Sequence, residues 1–163
     1  MGKKLDSVKN KSSEGKETFN AGKELGTKAV SDTKQMKQLI DSLPTDVDDE
    51  IVQAAKAVEQ GTKTDAEGYM QSEVNSKVEQ GKRSMEASNQ EANDQVRNNE
   101  QVMRTFQQMD GVGSFGRSAR DSGRTSVEQS TQQFEQMIAE NDRAAAEAEQ
   151  EYQKELSDIS STF

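Results

Sequence analysis

Residues 74–109 read VNSKVEQGKRSMEASNQEANDQVRNNEQVMRTFQQM, and apolar or small side chains recur along them at alternating steps of four and three residues. This spacing places one narrow stripe, which we call a seam, on a single face of an α-helix. It is typical of helices that pack lengthwise against one another. The seam comprises Val74, Val78, Gly81, Met85, Ser88, Ala92, Gln95, Asn99, Val102, Phe106 and Met109. The stretch therefore predicts one long helix with a narrow packing face.

A second seam with the same steps runs from Val127 to Ile159. The two seams predict an antiparallel hairpin, which we expect to pair in a register that sets Phe106 opposite Phe134 and Asn99 opposite Asn141. The same register places Val102 opposite Ile138 and Ala92 opposite Ala148. The side chains expected to carry the packing energy are Val78, Met85, Val102, Phe106, Phe134, Ile138, Tyr152 and Leu156.

The segment between the seams, residues 111–126, reads GVGSFGRSARDSGRTS and begins with a literal Gly-x-Gly-x-x-Gly. A dinucleotide site with this spelling needs a preceding strand, because the phosphates rest on the N-terminus of the helix that follows it. Here the preceding residues have helical periodicity instead. We therefore predict a turn over about 111–124, with Gly111 ending one helix in the left-handed conformation and Thr125–Glu128 capping the next.

The turn also carries a basic tip. Its arginines either close the hairpin by pairing with Asp110 and Asp121, or form a surface that a partner recognises, with phosphate binding as the alternative. The residues assigned to the turn or partner tip are Gly111, Gly113, Phe115, Gly116, Arg117, Arg120 and Arg124.

The N-terminal part predicts a separate helical arm over residues 1–64. A third seam from Leu5 to Leu43 indicates a helix over about 5–43, which Pro44 ends. A short helix over about 46–60 follows, capped by Thr45 or Asp46, with a break near 61–64. Residues 65–163 then form the long hairpin.

Together these elements predict an all-α fold: an elongated antiparallel helical hairpin or bundle with coiled-coil-like heptad seams and three to four long helices. Only 25 of the 163 residues are Leu, Ile, Val or Phe, and the net charge is −9. Such a composition also fits a disordered chain, which the regular seams oppose.

Several function classes are disfavoured by composition. The chain has no Cys and no His, so it offers neither thiolate nor imidazole for a metal or a nucleophile. We expect no enzyme activity, no cofactor and no metal. The acidic charge predicts no binding of nucleic acid. We expect neither a signal peptide nor a membrane span, and we expect a cytoplasmic protein or one secreted by a signal-peptide-independent route.

Residues from about 65 to 163, a helix, a tight Gly/aromatic turn and a helix, resemble the Trp-x-Gly family of small hairpins exported by type VII secretion. Ser114-Phe115-Gly116 stands where the family motif would lie, although Phe115 replaces Trp and directly precedes Gly116. The family's export signal, Tyr-x-x-x-Asp/Glu, is not met at Tyr152, whereas Tyr69 to Glu73 spells it before the turn. The resemblance implies a small exported helical protein.

The expected function is therefore protein–protein interaction or a structural role, exerted through a helical partner or through self-association, including a homo-oligomer. Two alternatives remain open. One is a scaffold or filament subunit, from a phage or a secretion apparatus, that becomes ordered on assembly. The other is a largely disordered, hydrophilic stress-protectant protein.

Overall fold

A computed structural model describes residues 2–163, and the described chain is all-α. Helix α1 spans Gly2–Asp41, α2 spans Asp49–Tyr69, α3 spans Asn75–Met109 and α4 spans Arg117–Thr162. A π-helical turn, Met70–Val74, joins α2 to α3, so the chain is helical without interruption from residue 49 to residue 109. This confirms the predicted all-α class and the small number of long helices.

The connection between α1 and α2 lies at Pro44, as predicted, but α2 differs at both ends from the short helix expected over 46–60. It begins at Asp49, where Asp48 is the extended residue before the first turn, and Asp49 and Glu50 lie in the positive end of the helix dipole. It also passes through Gly61, so the predicted break at 61–64 is wrong. Packing of Ala66 against a buried cluster offsets the roughly 1 kcal/mol that a helical glycine costs.

The residues divide into two compact units, and neither unit begins or ends at the predicted boundary, residue 64. The first unit combines residues up to 15 with residues 83–144. Its core consists of Val8, Ala92 and Phe134, one from each of three helices. Leu5, Val96, Met137 and Ile138 pack against this core. In this unit α1 packs against α3, since Ser7 and Lys11 both bond Glu91 and Ser88 bonds the carbonyl oxygen of Val8.

The second unit combines residues 16–82 with residues 145–163. Its buried cluster contains Met70, Val74, Val78, Tyr152 and Ile159, so both ends of the π-helical turn face the core. Helix α1 contributes Leu25, Ala29 and Val30 at the margin of this cluster. Its contact with α3 is close, because the Phe19 ring occupies the space that a Cβ on Gly81 would need.

The predicted seams are the buried faces of the helices. The buried positions of α1 recur at steps of three, four and seven residues along the seam predicted from Leu5 to Leu43: Val8, Ser12, Gly15, Phe19, Gly22, Gly26 and Thr33. Of the eight predicted packing residues, Val78, Met85, Phe134 and Tyr152 are buried, and Phe106, Ile138 and Leu156 are partly buried. Val102 differs, because 39% of it is exposed. Seam position alone did not reveal that burial decreases along α3 beyond Ala92.

The predicted register between α3 and α4 is wrong by about ten residues. Asn99 bonds Ser130 and Thr131 rather than Asn141, and the Phe106 ring lies against Gly123 rather than Phe134. Asn141 meets Ser88 and Asn89 instead. The physical reason is that α4 begins at Arg117, whereas the predicted turn extended to residue 124. Residues assigned to the turn are therefore the first two turns of α4, and every partner moves accordingly.

Candidate interaction surface at the hairpin tip

Two glycines produce the chain reversal between α3 and α4. Asp110–Val112 forms a single 3-10 turn after α3, and then Gly113 and Gly116 adopt φ of 139° and 71°. These conformations favour glycine because a side chain would clash with the backbone. Gly111, which we expected to be the left-handed residue, is not among the residues with positive φ. The predicted cap at Thr125–Glu128 is also wrong, since those residues lie inside α4.

Asp110 fastens the turn to α4. Its Oδ1 lies 2.8 Å from Nε of Arg120, and its other carboxylate oxygen pairs with Arg124. The hydrogen bond from Arg124 is the main reason that the pKa of Asp110 lies below its usual range, and the positive charges of Arg124 and Arg120 add to it. Arg120 also donates from Nη1 to the carbonyl oxygen of Phe115 at 2.5 Å. Two of the three predicted tip arginines therefore hold the turn closed.

The remaining tip side chains face outward. Phe115 is 88% exposed and Val112 is 84% exposed, the two largest exposures among the large apolar residues described. Arg117, in the first turn of α4, is exposed beside them. A partner that covered the Phe115 ring would remove a large apolar area from water. The exposed ring is therefore a candidate contact surface.

The first unit contains a buried polar layer around Asn141, which we had expected only as a pair of asparagines. Ser12 Oγ donates to Asn141 Oδ1 at 2.6 Å, and Asn141 Nδ2 donates to Ser88 Oγ at 2.8 Å and to Asn89 Oδ1 at 2.9 Å. Ser88 Oγ in turn donates to the carbonyl oxygen of Val8 at 2.9 Å. Polar side chains from α1, α3 and α4 thus hydrogen-bond to one another. This layer fixes the register of the three helices and leaves none of its polar side chains free for a ligand.

The second unit contains a buried acid that our choice of functional residues did not include. Glu155 is 5% exposed, and neither of its carboxylate oxygens has a hydrogen-bond donor. Burial raises the pKa of Glu155 to about 7, helped by the nearby Glu151 carboxylate and opposed by Lys23. Protonated, Glu155 would become a donor toward Glu151. The sequence feature that could have identified Glu155 is its position in the seam of α4, and the structure places it against the small residue Gly26 of α1.

Two further kinds of feature, a metal site and a membrane-spanning helix, are absent from residues 2–163. This part of the chain has no group of three or more acidic side chains placed to hold a metal ion. No helix within it is sufficiently long and apolar to cross a membrane.

No protein-family model, curated protein or solved structure matches this chain. The resemblance to the Trp-x-Gly hairpins accordingly stays a prediction from sequence.

Proposed function

We propose that this protein is a non-catalytic helical interaction protein that binds a protein partner, or itself, through the tip formed by Val112, Phe115 and Arg117. The observation that carries the proposal is the exposed Phe115 ring on a turn closed by Asp110, Arg120 and Arg124. Binding over an exposed aromatic ring removes a large apolar area from water, and aromatic and arginine side chains dominate the energy of many interfaces.

The acidic surface supports solubility rather than nucleic-acid binding, because a net charge of −9 repels phosphate backbones. Action in the cytoplasm, or after export by a route that needs no cleaved signal peptide, forms part of the same proposal. A role among type VII secreted hairpins rests on the helix, turn and helix of residues 65–163 and on the turn residues Ser114, Phe115 and Gly116.

The main alternative is a scaffold or filament subunit that becomes ordered only when it assembles. The sparse apolar content and the polar layer around Asn141 favour it, since a thin core with buried polar groups gives an isolated chain little stability. A largely disordered, hydrophilic stress-protectant protein is a separate alternative, which the sparse apolar content also favours.

Circular dichroism and light scattering on the same samples, over a wide concentration series, test the proposal. We expect high helicity and a cooperative thermal transition at every concentration, because the described seams are buried within one chain. Helicity that is low when dilute and rises together with mass would instead favour ordering on assembly. Low helicity throughout would contradict both of these and favour the protectant.

A further inference from the structure

The tip has the properties of a small knob. Val112 and Phe115 supply an exposed apolar surface, and Arg117 supplies one cation beside it. We call these three residues the knob. The other two tip arginines are occupied by Asp110, so the knob's geometry does not depend on a partner.

The second unit has a groove with complementary properties between α1 and α2. Its volume is about 500 Å³, and its apolar lining includes Leu25, Ala29, Met36, Ala66 and Tyr69. Met36 and Tyr69 are both more than a third exposed. We call this groove the socket.

Charge distinguishes the socket from a purely apolar groove. Its lining includes two carboxylates, Asp32 and Asp65, and one cation, Lys28. Both aspartates are exposed and so can meet a basic group at the rim. An apolar floor with an acidic rim suits a ligand that is aromatic and positively charged at once.

We propose that the knob of one copy of this chain docks into the socket of a second copy. The inference rests on the proposed function, because it names the partner that the tip binds. Phe115 and Val112 would cover the exposed parts of Met36 and Tyr69, and Arg117 would meet Asp32 and Asp65.

A second copy suits the socket because this chain itself presents an exposed aromatic ring, Phe115, close in sequence to an exposed cation, Arg117. The net charge of −9 makes two copies repel each other at long range, so an attractive contact needs opposite local charges. Arg117 against the two aspartates supplies them. The contact also removes exposed apolar surface of both copies from water. It joins two different patches, the knob of one copy and the socket of the other.

Joining different patches has a consequence for assembly. Each contact leaves a free socket on one copy and a free knob on the other, so association continues past the dimer unless a ring closes. The average mass of the wild-type protein should therefore keep rising with concentration.

Complementary variants test this arrangement. Phe115→Ser removes the aromatic ring of the knob, and Asp32→Lys/Asp65→Lys makes the socket repel Arg117. All three replaced residues are exposed, so the variants leave the buried cores intact. Sedimentation velocity should show about tenfold or more weaker self-association for each variant alone. Ile51→Ser, another exposed apolar residue outside the socket lining, is the control and should associate like wild type.

Mixing the two variants is the decisive step. One variant retains only its knob and the other only its socket, so the mixture should form a heterodimer of twice 18.0 kDa and nothing larger. A mixture that stays monomeric, or Phe115→Ser protein that associates like wild type, would overturn the inference.

Circular dichroism of the same samples separates this inference from the proposed function. Wild-type protein that is helical yet monomeric at every concentration overturns docking between copies and leaves a different partner for the tip. Wild-type protein without helices overturns both.

Discussion

Glu155 shows how one residue can link stability to pH. It occupies a seam position in α4, where burial without a hydrogen-bond donor disfavours the charged form and raises its pKa from 4.5 to about 7. The carboxylates of Glu151 and Asp158 on the same helix act in the same direction, and Lys23 of α1 acts against them.

The sign of the effect follows from proton binding. Between pH 4.5 and about 7 the folded chain holds a proton on Glu155 that the unfolded chain has released. The free energy of unfolding therefore falls as pH rises through this range and stays lower above it. Carboxylates with lowered pKa, such as Asp110 and Glu149, act in the opposite direction but only in more acidic solution.

We predict that Glu155→Gln raises the free energy of unfolding at pH 8 by on the order of 2 kcal/mol and changes it little at pH 4.5. Urea denaturation at both pH values measures this. Glu147→Gln, at an exposed position of the same helix, is the matched control and should leave the pH dependence unchanged. Wild-type protein that is more stable at pH 8 than at pH 5 would show that Glu155 is not buried as described.

At the scale of the helix, the sequence predicted α1, α3 and most of the buried faces, but not the bounds of α2 or the start of α4. Alternating steps of three and four residues specify one face of a helix, and the buried positions Val8, Ser12, Phe19 and Thr33 of α1 are among those that this rule selects. The rule says nothing about which helix covers that face, and this is why Val102 was expected to be buried.

The spacing of apolar residues did not predict the bounds of the turn or the register between α3 and α4, because glycine has two opposite roles in this region. Gly113 and Gly116 break the chain by adopting positive φ, whereas Gly123 lies inside α4 and admits the Phe106 ring. Composition does not distinguish these uses. We therefore extended the turn over all the glycines, and the shift in register followed.

A pair of engineered disulfides tests the observed register. Asn99 donates to Thr131 at 3.1 Å, so Asn99→Cys/Thr131→Cys should form an intrachain disulfide under mild oxidation. Asn99→Cys/Asn141→Cys, which the register predicted from sequence would join, should stay reduced. The natural chain contains no cysteine, so no other thiol competes. Mobility on non-reducing gels gives the answer, and the reverse pattern would restore the sequence-based register.

At the scale of the whole molecule, the functional proposal depends on charge and exposed apolar surface. The sequence identified Phe115 and the basic tip, but it did not separate Arg117 from Arg120 and Arg124, which Asp110 holds. The socket was missed entirely. Its residues come from α1 and α2, and the sequence did not show that those two helices form a groove.

The central claim is that Phe115 is a contact residue between protein chains. It can be tested directly by replacing Phe115 with a photoreactive phenylalanine analogue and irradiating a mixture of isotope-labelled and unlabelled protein. Mass spectrometry then distinguishes crosslinks between chains from crosslinks within one chain. The same group at Ile51 is the control.

We predict crosslinks between chains that map to residues 25–36 and 62–69, and that disappear when the receiving chain carries Asp32→Lys/Asp65→Lys. Helical protein that gives no crosslink between chains from position 115, or crosslinks no more localised than those from position 51, would contradict the account.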